Sequence, residues 1–238
     1  MPKRDPHHTG LRLLVGLLAL LLTCTQLRAQ DEEDYRMEVG GGIGANAALT
    51  DVNSKLFGAM GVAGTGIVRF ILNPRMAVKV SGSYAKFSGT TKGVANFYPA
   101  NPDVAGTARR EFAVSGGLFD LSGVYEINFL PYGYVGGYQG FKRFTPYLQV
   151  GFGLTYSDAG SAFTVNVPLG FGFKYKAGPR LNLGLEWRMH LTLSDKLEGL
   201  EAPLGIKSSG FKNKDHYGLT LLTVTYDISP RCPNCNKD

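Results

Sequence analysis

The sequence predicts an all-β protein, an eight-stranded antiparallel transmembrane β-barrel preceded by a cleaved signal peptide, and three observations predict it. Large apolar or aromatic side chains recur at every second position over segments much longer than the usual strand of about five or six residues. Only 18% of the 238 residues are charged, where a soluble domain carries about 25%, so much of the surface is not built for water. The links between the alternating segments are themselves alternately short and long, as in bacterial barrels with short periplasmic turns and long outer loops. No segment after the first thirty residues offers the roughly 18 uninterrupted apolar residues of a membrane helix. Alternation hides hydrophobicity from an average, and the mean hydropathy is accordingly only −0.05.

Residues 1–30 read as the export signal. Lys3, Arg4 and Arg12 precede the apolar run "LLVGLLALLL" from Leu13 to Leu22, and polar "TCTQLRAQ" follows, with cleavage expected near Ala29 or Gln30. A retained helical anchor is an alternative, although the apolar core is short for a span. A lipoprotein reading would use Cys24, but Thr23 fits poorly before a lipidated cysteine. The barrel is expected over 31–228, with a periplasmic tail at 229–238, and the exported chain carries 21 basic against 18 acidic residues. A net charge of about +3 does not argue for nucleic acid.

Strand one, 35–48, places Tyr35, Met37, Val39, Gly41 and Ile43 on one face. Strand two, 58–71, uses Met60, Val62, Val68 and Phe70, and strand three, 75–87, uses Met76, Val78, Val80 and Tyr84. Strand four, 112–130, turns Phe119, Leu121, Tyr125, Ile127 and Phe129 outward; strand five, 144–157, turns Phe144, Leu148, Val150, Phe152, Leu154 and Tyr156. Strand six is "FTVNVPLGFGFKY" at 163–175, whose odd positions are all large. Strand seven, 181–193, runs Leu181, Leu183, Leu185, Trp187, Met189, Leu191 and Leu193, and strand eight, 217–228, presents Leu222, Val224, Tyr226 and Ile228. Eight strands are the fewest that close a membrane barrel, and strands seven and eight are expected to close against strand one. A soluble sandwich would need a second sheet to cover every greasy face.

Short turns are expected at 72–75 and 176–180, and longer links at 49–57, 88–111 and 194–216. The link 131–143, "PYGYVGGYQGFKR", is long for the turn side, and "SDAGSA" at 157–162 is short for the loop side. The first of these is expected to form a contact surface for a periplasmic partner, through Tyr134, Tyr138, Phe141 and Arg143, with Arg231 of the tail.

The minority face carries the candidate site. Lys79, Glu126, Asn128, Lys174, Glu186, Arg188 and His190 fall on it, and a narrow barrel holds such groups only as paired charges and hydrogen bonds. The expectation is a plugged interior, with glycines at 116, 123, 151, 153, 170, 172 and 184 leaving room for the long side chains. Tyr84, Phe144, Tyr156, Tyr175 and Tyr226 are expected in interfacial girdles.

Other chemistry finds little support. "GIGANA" at 42–47 has the form of a dinucleotide fingerprint, but no amphipathic helix follows and no acidic residue stands about twenty positions on. "EWRMHL" places Glu186, Arg188 and His190 on one face, with Thr192 and Ser194 next along it, so a lipid-modifying barrel enzyme is the alternative to an interior polar cluster. A surface adhesion or channel barrel is another. Cys232 and Cys235 are expected to form a local disulfide in an exported chain, since zinc would need two more ligands at suitable spacing. No cofactor and no metal are expected.

"VYEINFLPY" at 124–132, "FTPYLQVGFGLTYS" at 144–157, "VNVPLGFGFKY" at 165–175, "LGLEWRMHLTLSDKLEGL" at 183–200 and "KNKDHYGLTLLTVTY" at 212–226 resemble, in order and spacing, the Bacteroidetes outer-membrane barrels of the DUF6089 type, the PorG-like proteins. The likeness covers about the last hundred residues well and the first part of the exported chain loosely. Ser194, Asp195 and Glu198 keep only part of that family's acidic run after strand seven. The resemblance implies an eight-stranded barrel in the outer membrane. For the PorG-like branch it further implies association with the periplasmic ring of the type IX secretion system.

Overall fold

The computed structural model describes residues 35–49, 60–90, 113–134, 140–194, 197 and 214–230. They form β1 (Tyr35–Leu49), β2 (Gly61–Asn73), β3 (Met76–Thr90), β4 (Ala113–Asn128), β5 (Phe144–Ser157), β6 (Ala162–Lys176), β7 (Leu181–Thr192) and β8 (His216–Pro230). Each strand pairs antiparallel with the next, and β8 pairs with β1 from Tyr35↔Pro230 to Leu49↔His216, which closes the barrel. Strand seven reaches strand one only through β8, a correction to the expectation that both would meet it. No helix of the described residues is long and apolar enough to cross a membrane.

Closure follows from the alternation. Along β6 the residues from Phe163 to Tyr175 turn alternately to the outside and the lumen, Phe163 being 67% exposed and Asn166 fully buried. Strands of 12 to 16 residues exceed the roughly 9–11 that a tilted strand needs to cross the hydrocarbon, so each spans with residues to spare. The outer wall is apolar through its middle: Val150, Phe152, Leu169, Phe171, Leu183, Leu185, Leu222 and Val224 all lie exposed on it. Tyr84 and Phe119, ring centroids 4.7 Å apart, stand toward one end of the wall, and Phe144 and Phe173, 5.9 Å apart, toward the other.

The two ends differ as the short and long links predicted. At the turn end, Asn73 Oδ1 accepts from the Arg75 amide at 2.8 Å, and the Ala177 and Gly178 amides donate to the Leu181 carbonyl at 2.9 and 3.2 Å. The 129–143 link and the barrel's first and last strand ends share that side. At the loop end, β3 continues to Thr90 and β4 begins at Ala113, so the link there is shorter than the 88–111 expected. Strand two begins after Met60 and runs to Asn73, and β8 runs to Pro230, two residues into the expected tail. Cys232 and Cys235 lie outside the described residues, as do residues 1–30.

Glycine has two uses in the wall. On the lumen side, a Cβ at Gly172 would stand 2.7 Å from the Tyr147 ring, and one at Gly170 would stand 2.2 Å from the Trp187 carbonyl. Gly123 was expected inside as well, but its neighbours across the ladder are exposed Val80 and Phe152, so it lies on the outer wall with nothing within 4 Å of its Cβ position. Register decides this, because the period of two carries every even residue of β4 inward and every odd one outward.

The contrast sets a test. Gly172→Val is expected to abolish or strongly slow barrel formation, and Gly82→Val, on the open outer wall, to leave it intact. The faster migration of an unheated folded barrel in gel electrophoresis reads both.

Candidate functional site

The lumen holds a polar core to which every strand contributes. Glu38 comes from β1, Arg69 from β2, Lys79 from β3, Glu126 from β4, Tyr147 and Gln149 from β5, Lys174 and Lys176 from β6, Asn182 and Glu186 from β7, and Thr225 and Asp227 from β8. At its centre Glu126 accepts from Arg69 Nε at 2.8 Å and Lys174 Nζ at 2.5 Å, and lies 3.1 Å from Lys79 Nζ. Lys79 also donates to Glu186 at 2.6 Å and to Gln149 at 2.8 Å, and the Tyr147 hydroxyl donates to Glu186 at 2.7 Å. Arg69 reaches Glu38, which accepts from Thr225 at 2.9 Å. Below them Lys176 pairs with Asp227, whose other oxygen accepts from Asn182 at 2.6 Å. Among the described strand residues five cations, Arg69, Lys79, Lys174, Lys176 and Arg188, thus face five carboxylates, Glu38, Asp120, Glu126, Glu186 and Asp227, and Asp215 is buried just before β8.

A second network lies toward the loop end. Asp120 accepts from Tyr217 and Asn166, both at 2.8 Å, and from Ser122 at 2.5 Å; Thr155 bonds to Tyr217 and Asn166. His190 stacks on Tyr217 with centroids 4.4 Å apart, and its Nδ1 lies 3.1 Å from Asn166 Oδ1 and 3.4 Å from Asp120. Arg188 crosses the lumen from β7 to donate to Ser81 on β3 at 2.8 Å.

Both mouths are covered. Above the second network, Leu197 joins Phe87, Leu118, Leu219 and Leu221 in an apolar cluster, held by its amide on Asp215 at 2.9 Å and by its carbonyl on the Ser157 hydroxyl. At the turn end, Tyr132 donates to Asn182 at 2.9 Å, and its ring lies 5.9 and 5.6 Å from the ammonium groups of Lys174 and Lys176. Burial pushes the Tyr132 hydroxyl above the ordinary phenol range.

All seven residues of the expected interior cluster, Lys79, Glu126, Asn128, Lys174, Glu186, Arg188 and His190, lie buried in the lumen. The structure divides them, His190 belonging to the upper network and the others to the lower core or the bridge between. Glu38, Arg69, Asp120, Lys176, Tyr147, Tyr217 and Asp227 were not singled out, although the same alternation marks them: Arg69 stands between Val68 and Phe70, and Glu38 between Met37 and Val39. As for a nucleophile, Thr192 donates to the Asp215 carbonyl and not to His190, and His190 Nε2 has no hydrogen-bond partner among the described residues.

The expected contact surface is only partly free. Tyr132 and Lys142 form a bridge that folds the 131–143 link back on itself, and a Cβ at Gly133 would stand 2.8 Å from the Phe141 ring. Arg143 donates to the Lys176 and Ala177 carbonyls and lies over Tyr134 at 5.0 Å and Tyr175 at 5.4 Å. Tyr138 and Arg231 lie outside the described residues.

A family model described as an outer membrane protein beta-barrel domain matches residues 16–211. Among solved structures, the barrel resembles Neisserial surface protein A at 14% identity, covering 81% of this chain and 97% of that one with a TM-score of 0.45. It resembles Ail of Yersinia pestis, solved with the heparin analogue sucrose octasulfate, at 12% identity, 82% and 99% coverage and a TM-score of 0.43. The N-terminal barrel of Pseudomonas aeruginosa OprF matches at 11% identity, 82% and 98% coverage and a TM-score of 0.40. No curated protein matches the sequence.

Removing the central carboxylate is expected to be costly. Glu126→Gln leaves Arg69, Lys79 and Lys174 without their shared counter-charge and is expected to lose about 3–5 kcal/mol of barrel stability. Adding Lys174→Met to it should recover part of that loss, as two residues of one network do not act additively. Urea unfolding in lipid vesicles measures both.

Proposed function

Because the chain belongs to the family of outer membrane protein beta-barrel domains, we propose that it is a non-enzymatic outer-membrane barrel serving as a structural or accessory component of a type IX secretion-like envelope assembly. The observation that carries the non-enzymatic, non-conducting part is the lumen: ion pairs and hydrogen bonds join side chains from opposite walls, and Leu197 and Tyr132 cover the two mouths. A barrel filled in this way offers its wall, its loops and its turn end to partners, and no passage through its middle. Support for the secretion assembly comes from the ordered motifs of β4 to β8 that resemble the PorG-like barrels. The partner is then a periplasmic ring lipoprotein or protein, meeting the turn end near Tyr134, Phe141 and Arg143.

A lipid-modifying activity would need a nucleophile at His190 and access from the outer leaflet. Here the ring is fully buried, stacked on Tyr217 and bonded to Asn166.

Three measurements bear on this reading. Planar bilayers containing the folded barrel are expected to show essentially no conductance, and a stable open channel would refute the plugged interior. His190→Ala is expected to leave the lipid composition of the envelope unchanged; a lost lipid product would favour the enzyme. Mild-detergent extraction with gentle crosslinking is expected to recover the barrel with periplasmic ring proteins, and repeated recovery of the barrel alone would remove the secretion role.

A further inference from the structure

Between the two lumen networks lie polar atoms that neither network uses. Arg188 Nη1 donates to Ser81, but Arg188 Nε and Nη2, Gln149 Nε2, Glu186 Oε1 and His190 Nε2 are buried without a hydrogen-bond partner among the described residues. Arg188 and His190 are fully buried, and Glu186 and Gln149 are 1% and 3% exposed, so bulk solvent does not reach them. A buried donor or acceptor left alone forfeits its hydration with no return, and native folds rarely leave one so.

These atoms are neighbours by register. Gly170 of β6 is the ladder partner of both Gln149 on β5 and Arg188 on β7, so the three stand in one row with the glycine in the middle. Inward from β6 at this level come Pro168 and Gly170, neither of which has a polar side chain to offer. One row nearer the turn end, Gly172 stands between Tyr147 and Glu186, and the Tyr147 ring takes up its space. Around Gly170 the three atoms nearest a Cβ position all belong to the β7 backbone. The Gln149 amide is fixed in direction, because its oxygen accepts from the Lys79 ammonium, which only donates. Arg188 Nη2 stands 3.8 Å from Glu186 Oε1, too far for a hydrogen bond and within the span of one bridging molecule. His190, two residues further along the same face of β7, ends the set.

We propose that ordered water is built into the lumen here, bridging Arg188 to Glu186 and reaching Gln149, with His190 Nε2 at its upper edge. The donor set selects water over an ion. The occupant has to accept from the guanidinium and the amide and also donate to the carboxylate. A halide accepts but faces the Glu186 carboxylate, and a metal ion accepts nothing; water does both. Through Glu186 on one side and His190 on the other, the water joins the ion-pair core to the Asp120 network. The site rests on the closed barrel and not on the secretion role.

The test uses the folded full chain, purified in neutral detergent, in two measurements. A crystal structure fine enough to resolve single waters is expected to show water within about 2.7–3.2 Å of Arg188 Nη2, Glu186 Oε1 and Gln149 Nε2. Oxygen-17 relaxation dispersion counts long-lived internal waters in solution, and Gln149→Leu is expected to lower that count by about one. Val150→Ala, on the exposed outer wall, is expected to leave it unchanged. Unheated gel migration shows that both variants are folded. A bromide peak at this position in the anomalous scattering of crystals soaked in sodium bromide makes it an anion site and overturns the proposal. Direct closure of Arg188 on Glu186 and of Gln149 on a protein acceptor, with no water between, overturns it as well. So does a count of long-lived waters that Gln149→Leu does not change.

Discussion

The structure depends on the charge cluster around Glu126. Arg69 and Lys79 are direct partners across the β2–β3 ladder, both facing the lumen, and like charges in that position repel. Glu126 stands between them from β4 and takes Lys174 from β6 as well, so one carboxylate is shared by three cations and offsets part of their repulsion. Glu186 and Glu38 complete the arrangement by taking the remaining reach of Lys79 and Arg69. Buried charges of this kind are weak contributors to stability and strong constraints on geometry, because any one left unpaired is expensive.

That constraint explains features that look separate. A period of two admits either register of a strand, but a slip by one residue in β3 would carry Lys79 to the lipid face and Val78 or Val80 into the polar core. The glycines follow from it too. Gly172 gives the Tyr147 ring the space from which its hydroxyl reaches Glu186, and Gly184, opposite Lys174 in the ladder, leaves room on the same inner surface. The Asp120 network does the same task nearer the loop end with hydrogen bonds in place of cations, and above it the interior becomes apolar around Leu197. The lumen therefore changes in layers, from ion pairs to hydrogen bonds gathered on the Asp120 carboxylate to hydrocarbon.

The wall and the lumen divide the chemistry between them. The lumen pairs its charges across the wall, while the links lie at the ends. At the turn end, Tyr132 enters the mouth while Arg143 folds outward onto Tyr134 and Tyr175, so a single link both caps the barrel and presents charge at its rim. It is this link that departs most from a minimal barrel turn.

Strand number and the facing of the large side chains were determined by the sequence itself, because the strand period of two is written in residue types and needs no partner to be read. The seven expected interior residues followed from the same parity, and so would Arg69, Glu38 and Asp120 have done. Who pairs with whom was decided only by the tertiary structure: Lys79 and Glu186 stand 107 positions apart, and closure of β8 on β1 is what brings Thr225 to Glu38. The side taken by Gly123, which has no side chain to declare it, was likewise settled by register. The fold of the 131–143 link onto the barrel mouth was beyond sequence reading because its residues have no period, and their positions are fixed by contacts with Asn182, Lys176 and Tyr175 on distant strands.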